Sequence, residues 1–386
     1  MVNASQLSKR ALLAALPAVL AGCATRQSSP GYSSTAEGFG PLAGFPTAPI
    51  GPPLPSGPLG MITISSCSNE ELAAPLYSDI RALKPDLALM IGDNVYGSRT
   101  PEDPQLSDLR AAYWQMARRQ EFRELVANVP TLAVWDDHDF GKNDGGGDFP
   151  QKALAQAMFN TFWNIPSTDP LRSRPGLYRS MTVGPVGQRV QIIMLDTRYF
   201  RDPLRPTDQR DAPGRERYIP HPPDATNDVL GASQWAWLER TLQEPAELRI
   251  IASSIQVIAD GHGYERWGQF PAALARLYRL VGTSSARGVV FVSGDRHLAA
   301  INRRDDVVGY ALHDLTASAI NTSNWRQDMS TDTGEAGPYR LGPSYTPSNY
   351  GRIAIDWTRR VLKLEVVGVA GLVALTAIVP FTSLGL

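Results

Sequence analysis

Residues 86–96 read DLALMIGDNVY. An apolar run ends at Gly92, and Asp93, Asn94 and Tyr96 follow at once. A short apolar run closed by a glycine turn reads as a buried strand whose carboxyl end carries polar chemistry. The pattern recurs along the chain. MITIS leads to Ser66-Cys67-Ser68, and PTLAVW leads to Asp136-Asp137-His138-Asp139. VQIIML leads to Asp196-Thr197-Arg198, LRIIAS to Ser254 and Gln256, and GVVFV to Ser293-Gly294-Asp295-Arg296-His297.

Helical stretches are predicted between these runs, over 69–84, 105–127, 151–163, 232–243 and 271–281. Alternating strands and helices imply a layered α/β fold, in which ligands bind beyond the carboxyl ends of the strands. The strand ends therefore converge on one site. The uncharged tail 366–382 has the length of a membrane helix, but β-branched residues and glycines favour strands. Arg352–Trp357, Val361–Val369 and Leu372–Val379 are predicted to close a sheet.

The chain has 386 residues and a formal charge of −1, which suggests neither a nucleic-acid surface nor a polybasic membrane patch. A monomer is expected. Residues 9–22, KRALLAALPAVLAG, precede Cys23 and read as a secretory signal of 1–22. Leu20-Ala21-Gly22-Cys23 resembles a bacterial lipobox, which implies lipidation at Cys23 and anchoring in the cell envelope, facing the periplasm or on the outer membrane. Ser8-Lys9-Arg10 gives a faint twin-arginine pattern. The Ser-, Gly- and Pro-rich segment 23–58 is expected as a tether, with one catalytic domain over 59–386. Cys23 and Cys67 sit in contexts that suggest unrelated roles.

Stacking Asp136, Asp137, Asp139 and Asp144 near one another raises every carboxyl pKa unless a cation intervenes. Asp93 can aim a carboxylate from its turn. Tyr96 binds as phenolate only beside a strong Lewis acid, which favours trivalent iron. Cys67 and His297 suit iron or zinc. Asp137, Asn143 and Asp295 are oxygen donors for calcium, magnesium or manganese. Two such cations bridged by a carboxylate suit metal-activated hydroxide attack at phosphorus. His138 is then the candidate acid for the leaving alkoxide, and Arg198 the candidate grip on a non-bridging oxygen.

Each residue also has a plainer role. Asp93 caps turns in many loops, Tyr96 packs in many cores, and Cys67 or His297 alone is commonly a buried structural group. Asp136 and Asp139 read as supports for ligands, Asp144 as a helix cap or loop residue, and Asp196 as a holder of Arg198. His262 reads as a surface-loop residue, and His221 and His313 as structural.

Together these residues resemble the alkaline phosphatase D (PhoD-like) branch of the metallophosphatases, related to purple acid phosphatases. The matching pieces are Ser66-Cys67, Gly92-Asp93-x-x-Tyr96, Trp135 to Asp139 with Asn143-Asp144, Asp196-x-Arg198 and Ser293-Gly294-Asp295-x-His297. Residues 234–238, Thr316 to Ser318 and 352–356 also look like this family. The resemblance implies a four-layer αββα sandwich of two packed mixed sheets. It implies ferric iron (zinc as the alternative) on Cys67, Asp93, Tyr96 and His297. It also implies one or two calcium ions, with Asp93 bridging and Asp137, Asn143 and Asp295 nearby. Relatives hydrolyse phosphomonoesters or phosphodiesters. Two departures are expected to matter: the N-terminal β domain common in relatives is replaced by the tether, and Asp139 stands where the family often has Glu.

A rival reading is an envelope sensor or binding lipoprotein that keeps the ligands and has lost turnover. His138 and Arg198 argue against it. A serine hydrolase built on Ser254 or Ser293 lacks a nucleophile elbow.

Overall fold

The computed structural model describes residues 42–323, 335 and 337–386. The export signal, Cys23 and the tether as far as residue 41 lie outside the described residues. Among the described residues twelve strands form two sheets. They are β1 (Met61–Ser65), β2 (Leu87–Ile91), β3 (Thr131–Val134), β4 (Arg179–Val183), β5 (Val190–Met194), β6 (Leu248–Ser253), β7 (Val289–Ser293), β8 (Ala299–Arg304), β9 (Leu312–Ala317), β10 (Asn349–Asp356), β11 (Val361–Gly368) and β12 (Val373–Pro380). The helices are α1 (Pro75–Leu83), α2 (Ser107–Met116), α3 (Gln120–Asn128), α4 (Asp137–Phe140), α5 (Lys152–Phe162), α6 (Gly231–Thr241) and α7 (Pro271–Thr283).

The first sheet runs β12-β11-β10-β1-β2-β3, the second β4-β5-β6-β7-β9-β8. In the first, β1, β2 and β3 are parallel, so Cys67, Asp93 and Asp136 emerge at one edge. In the second, β5, β6, β7 and β9 are parallel and deliver Asp196, Ser254, Asp295 and Ser318. Alternation along each strand divides the packing. Ile192, Met194, Ile250 and Val290 join Ile62, Ile64 and Leu89 in the core between the sheets. Ile193, Ile251 and Phe291 turn outward to a second core with Trp235, Leu238 and Leu277 of α6 and α7. Helices on α1 to α5 cover the first sheet, giving the four-layer αββα sandwich.

Several boundaries differ from expectation. Phe45 and Ala48, expected in the tether, are buried in the main core, and the Ala48 amide donates to Phe162 O at 2.7 Å. The helix expected from 69 begins at Pro75, whose fixed φ and missing N–H suit a first turn. The stretch 105–127 breaks into α2 and α3 at an extended Arg119, whose Nε reaches Glu70 O at 2.8 Å. The C-terminal tail forms β11 and β12, an antiparallel pair. No helix among the described residues is long and apolar enough to cross a membrane.

Candidate metal centre

The acidic run 136–139 divides its labour. Asp139 turns inward. Its Oδ1 accepts from the Asp136 amide at 2.6 Å and the Asp93 amide at 3.2 Å. Its Oδ2 accepts from Asn94 Nδ2 at 2.6 Å and the Asn94 amide at 3.2 Å. Asp139 thus ties the β2 turn to the β3 turn and belongs to none of the donor clusters among the described residues. Gly92, at φ +120°, makes the approach possible: a Cβ there would sit 2.5 Å from Asp136 Cβ. Burial raises the Asp139 carboxyl to about 7, against the pull of these amide bonds.

Asp93 and Asp137 remain for chemistry. Three overlapping sets bring donor atoms within 4.8 Å of one another: Cys67, Asp93 and His297; Asp93, Asp137 and His138; and Asp136, Asp137 and Asp295. Tyr96 joins the first set through its hydroxyl, 3.0 Å from His297 Nε2. Cys67 Sγ lies 3.5 Å from Asp93 Oδ2 and 3.1 Å from Ser318 Oγ. Ser318 Oγ also takes the His297 amide at 3.0 Å. Cys67, Asp93, Asp295 and His297 all adopt positive φ, between 49° and 70°. Non-glycine residues rarely do so, and such strain clusters at functional sites.

The electrostatics call for cations. Burial pushes the Cys67 thiol to about 11. Burial, then Asp137 and Cys67, raise Asp93 well above the carboxylate range. Burial raises Asp295 to about 8, with Arg296 pulling down and Asp137 pushing up. Burial lowers the His297 imidazole to about 4, leaving it neutral and fit to ligate. Burial also works against charge on Asp137, yet His138 and Arg198 outweigh it and hold that carboxyl low. Asp137 Oδ1 is buried without a hydrogen-bond partner. Positive ions between these groups relieve all of these costs, so the residues fit a metal centre.

The centre opens into a cavity of about 180 Å³, with Asp93, Asp137, His138, Asn143, Asp295 and His297 on its wall. Asp144, Arg217, Tyr264, Glu265 and Arg296 complete it. A sequence model of the PhoD-like phosphatase family matches residues 62–365. The chain belongs to that family. Membership makes it a metal-dependent phosphatase, a hydrolase of phosphate esters. The solved structure of PhoD superposes with a TM-score of 0.63 at 18% identity, over 85% of this chain and 70% of that one. A dimetal phosphatase from Danio rerio is similar at 13% identity and a TM-score of 0.49, over 84% of this chain and 99% of that one. No curated protein matches the chain.

In this PhoD-like phosphatase one expected site residue lies elsewhere. Arg198 is wholly buried and does not line the cavity. Its guanidinium is spent on Asp136, with Nε to Oδ1 at 2.5 Å, and on Glu265 Oε2 at 2.6 Å. Arg201 Nε extends the chain of charges to Glu265 Oε1 at 2.8 Å. Buried carboxylates thus hold a buried guanidinium away from the cavity wall. Asp196 holds the backbone of that turn, accepting from the Arg198 and Tyr199 amides at 2.8 and 2.9 Å. Asn143 lies on the cavity wall, and no hydrogen bond among the described residues fixes its side chain.

His262 is buried rather than on a surface loop, with Nε2 2.9 Å from Gln256 Oε1, and burial lowers its pKa well below the usual value. Ser254 Oγ donates to Asp136 at 2.6 Å and Ser293 Oγ to Asp314 at 2.7 Å. Neither has an imidazole partner among the described residues, so neither is a triad serine. Cys67 is free of disulfide bonding. Sequence reading missed Ser98, Thr322, Arg217 and Tyr264. Only Ser98 carried a signal, being two residues beyond the Asp93-x-x-Tyr96 box.

Proposed function

We propose that this phosphatase is a lipid-anchored envelope enzyme that hydrolyses phosphate monoesters, diesters or both. It acts as a monomer held by a lipid on Cys23. Ferric iron, with zinc as the alternative, is assigned to Cys67, Asp93, Tyr96 and His297. One or two calcium ions, with magnesium or manganese as alternatives, are assigned to Asp93, Asp137, Asn143 and Asp295. The observation that carries this reading is the sharing of Asp93 and Asp137 among the three donor sets. A thiol, a phenol and an imidazole gather on one side of Asp93, and oxygen donors on the other, which separates a softer site from a harder one.

When bound, the cations supply Lewis acidity, making water nucleophilic near neutral pH and neutralising phosphate oxygens as charge builds. The chain supplies position and a proton. His138 Nδ1 lies 2.5 Å from Ser98 Oγ, and the ring stacks on Tyr96 at 4.2 Å between centroids. With Nδ1–H donated to Ser98, Nε2 faces the cavity and gives its proton to the leaving alkoxide. Asp137, 4.0 Å away, stabilises the imidazolium before transfer.

Elemental analysis of the purified chain, with p-nitrophenyl phosphate and bis(p-nitrophenyl) phosphate assays, tests the reading. Iron and calcium are expected to co-purify, and hydrolysis to stop on chelation and return with those ions. Fully metal-loaded protein that cleaves neither ester would point to the sensor instead. Anchoring is tested apart: Cys23→Ser is expected to move the protein from the membrane fraction to the soluble one.

A further inference from the structure

With Arg198 buried, the cavity wall holds two arginines among the described residues, Arg217 and Arg296. They differ in freedom. Arg296 is almost enclosed, bonded through Nε to Glu335 at 3.1 Å and paired through Nη1 with Asp295 at 3.4 Å. Its guanidinium also lies 3.9 Å from the Tyr264 ring centroid. Arg217 is 43% exposed at its side chain and, among the described residues, holds one ion pair, Nη1 to Asp144 Oδ2 at 3.2 Å. Its guanidinium sits 5.6 Å from the same Tyr264 ring.

The backbone under Arg217 is pinned. Its amide and that of Tyr218 both donate to Gly263 O, at 3.1 and 2.7 Å. The Thr207 amide donates to Arg217 O at 2.9 Å, closing a small ladder within the 205–219 loop. Glu216 caps the Gly263 amide, and a Cβ on Gly263 would lie 2.4 Å from the Glu216 nitrogen. The side chain is therefore presented at the cavity mouth by a fixed base, while among the described residues its tip is held by an exposed ion pair and the face of Tyr264. Such a pair is weak and readily exchanged for another anion. Asp144 Oδ2 also accepts from Tyr218 Oη at 2.7 Å, so it keeps a partner when Arg217 leaves.

We propose that Arg217 exchanges Asp144 for a non-bridging oxygen of the substrate phosphate and thereby favours dianionic phosphomonoesters over monoanionic diesters. This rests on the phosphoesterase reading above. A monoester carries three terminal oxygens and nearly two charges at neutral pH. A diester offers two oxygens and one charge. A guanidinium fork at the rim gains most from the extra oxygen and the extra charge. Arg217 is then a specificity-determining residue, supplied by a loop that carries no metal donor.

The test uses full-length, metal-loaded Arg217→Ala and Arg217→Lys. In Arg217→Ala, kcat/KM for p-nitrophenyl phosphate is expected to fall about 10- to 100-fold, and that for bis(p-nitrophenyl) phosphate by less than about threefold. Inorganic phosphate, measured by calorimetry and as a competitive inhibitor, is expected to bind at least about tenfold more weakly. Arg217→Lys restores part of both losses, because it keeps the charge without the fork. Equal losses on the two esters, or unchanged phosphate affinity, overturn the proposal. If Arg217→Ala unfolds, Arg217→Lys decides by the same two readings. If the wild type cleaves neither ester, the phosphoesterase reading fails by itself. Phosphate calorimetry then judges Arg217 alone, weaker binding in the variant supporting its role and equal binding overturning it.

Discussion

The Tyr96 hydroxyl lies 3.0 Å from His297 Nε2, across 201 residues of chain and two different sheets. Thr322 Oγ1 touches the same hydroxyl at 3.3 Å, and Ser318 Oγ touches both Cys67 Sγ and the His297 amide. The end of β9 thus buttresses donors from β1, β2 and β7.

This buttress predicts graded losses. Tyr96→Phe and Cys67→Ser are each expected to remove their own part of the visible charge-transfer absorption of an iron-loaded protein, since phenolate and thiolate are its sources. Ser318→Ala leaves the donors in place and is expected to weaken metal affinity about 10- to 100-fold without abolishing the band. Absorption spectra with competitive metal titration check both. A full band in Cys67→Ser would remove the thiol from the ligand set.

Chelation is expected to make stability steeply dependent on pH. Burial raises Asp139 to about 7 and Asp295 to about 8, above an ordinary 3.8. A folded state that holds protons more tightly than the unfolded one is favoured at low pH. That contribution is complete below about pH 4 and is lost as pH climbs through about 7 and 8. Asp137 runs the other way: its lowered pKa contributes stability above the ordinary value, lost only in strong acid. The melting temperature of chelated protein should fall between about pH 4 and 8, while bound cations flatten the curve. Parallel curves with and without chelator would show that the ions do not offset these carboxylates.

The strands that position the site were legible because they are continuous apolar runs, buried on both faces. β9 was not, because LHDLTA carries His313 and Asp314 into the interior. There Asp314 takes the Ser293 hydroxyl and the amides of Val257 and Ile258, a set of partners assembled only by folding. The same holds for Arg198. Its place after a strand end suggested substrate contact, but Glu265, which immobilises it, arrives from a loop 67 residues away. The left-handed turns at Cys67, Asp93, Asp295 and His297 were illegible too, since none of the four positions is itself a glycine.

Arg198 should therefore behave as a structural residue. Arg198→Met leaves Asp136 buried without its cation and Glu265 with Arg201 alone, and is expected to destabilise the fold by about 3–5 kcal/mol. Thermal unfolding would show a large drop in Tm. At temperatures where the variant is folded, KM for p-nitrophenyl phosphate should change little. A normal Tm with a raised KM would return Arg198 to the substrate.

His138 gives the most discriminating kinetic test, because its two nitrogens have different neighbours. Nδ1 is anchored by Ser98, and Nε2 faces the cavity near Asp137. An acid matters in proportion to the basicity of the group it protonates. Nitrophenolate leaves unaided, whereas an alkoxide does not. His138→Ala is expected to cost about 10²- to 10⁴-fold in kcat on an alkyl phosphate and far less on p-nitrophenyl phosphate. Ser98→Ala should show a smaller loss with the same leaving-group bias, because the ring loses its tether and not its proton. Plotting log kcat against leaving-group pKa for the three proteins gives the readout: a steeper negative slope in both variants than in the wild type. An unchanged slope with a uniform offset would assign His138 to metal binding, alongside Asp93 and Asp137 in the set whose donor atoms it already shares.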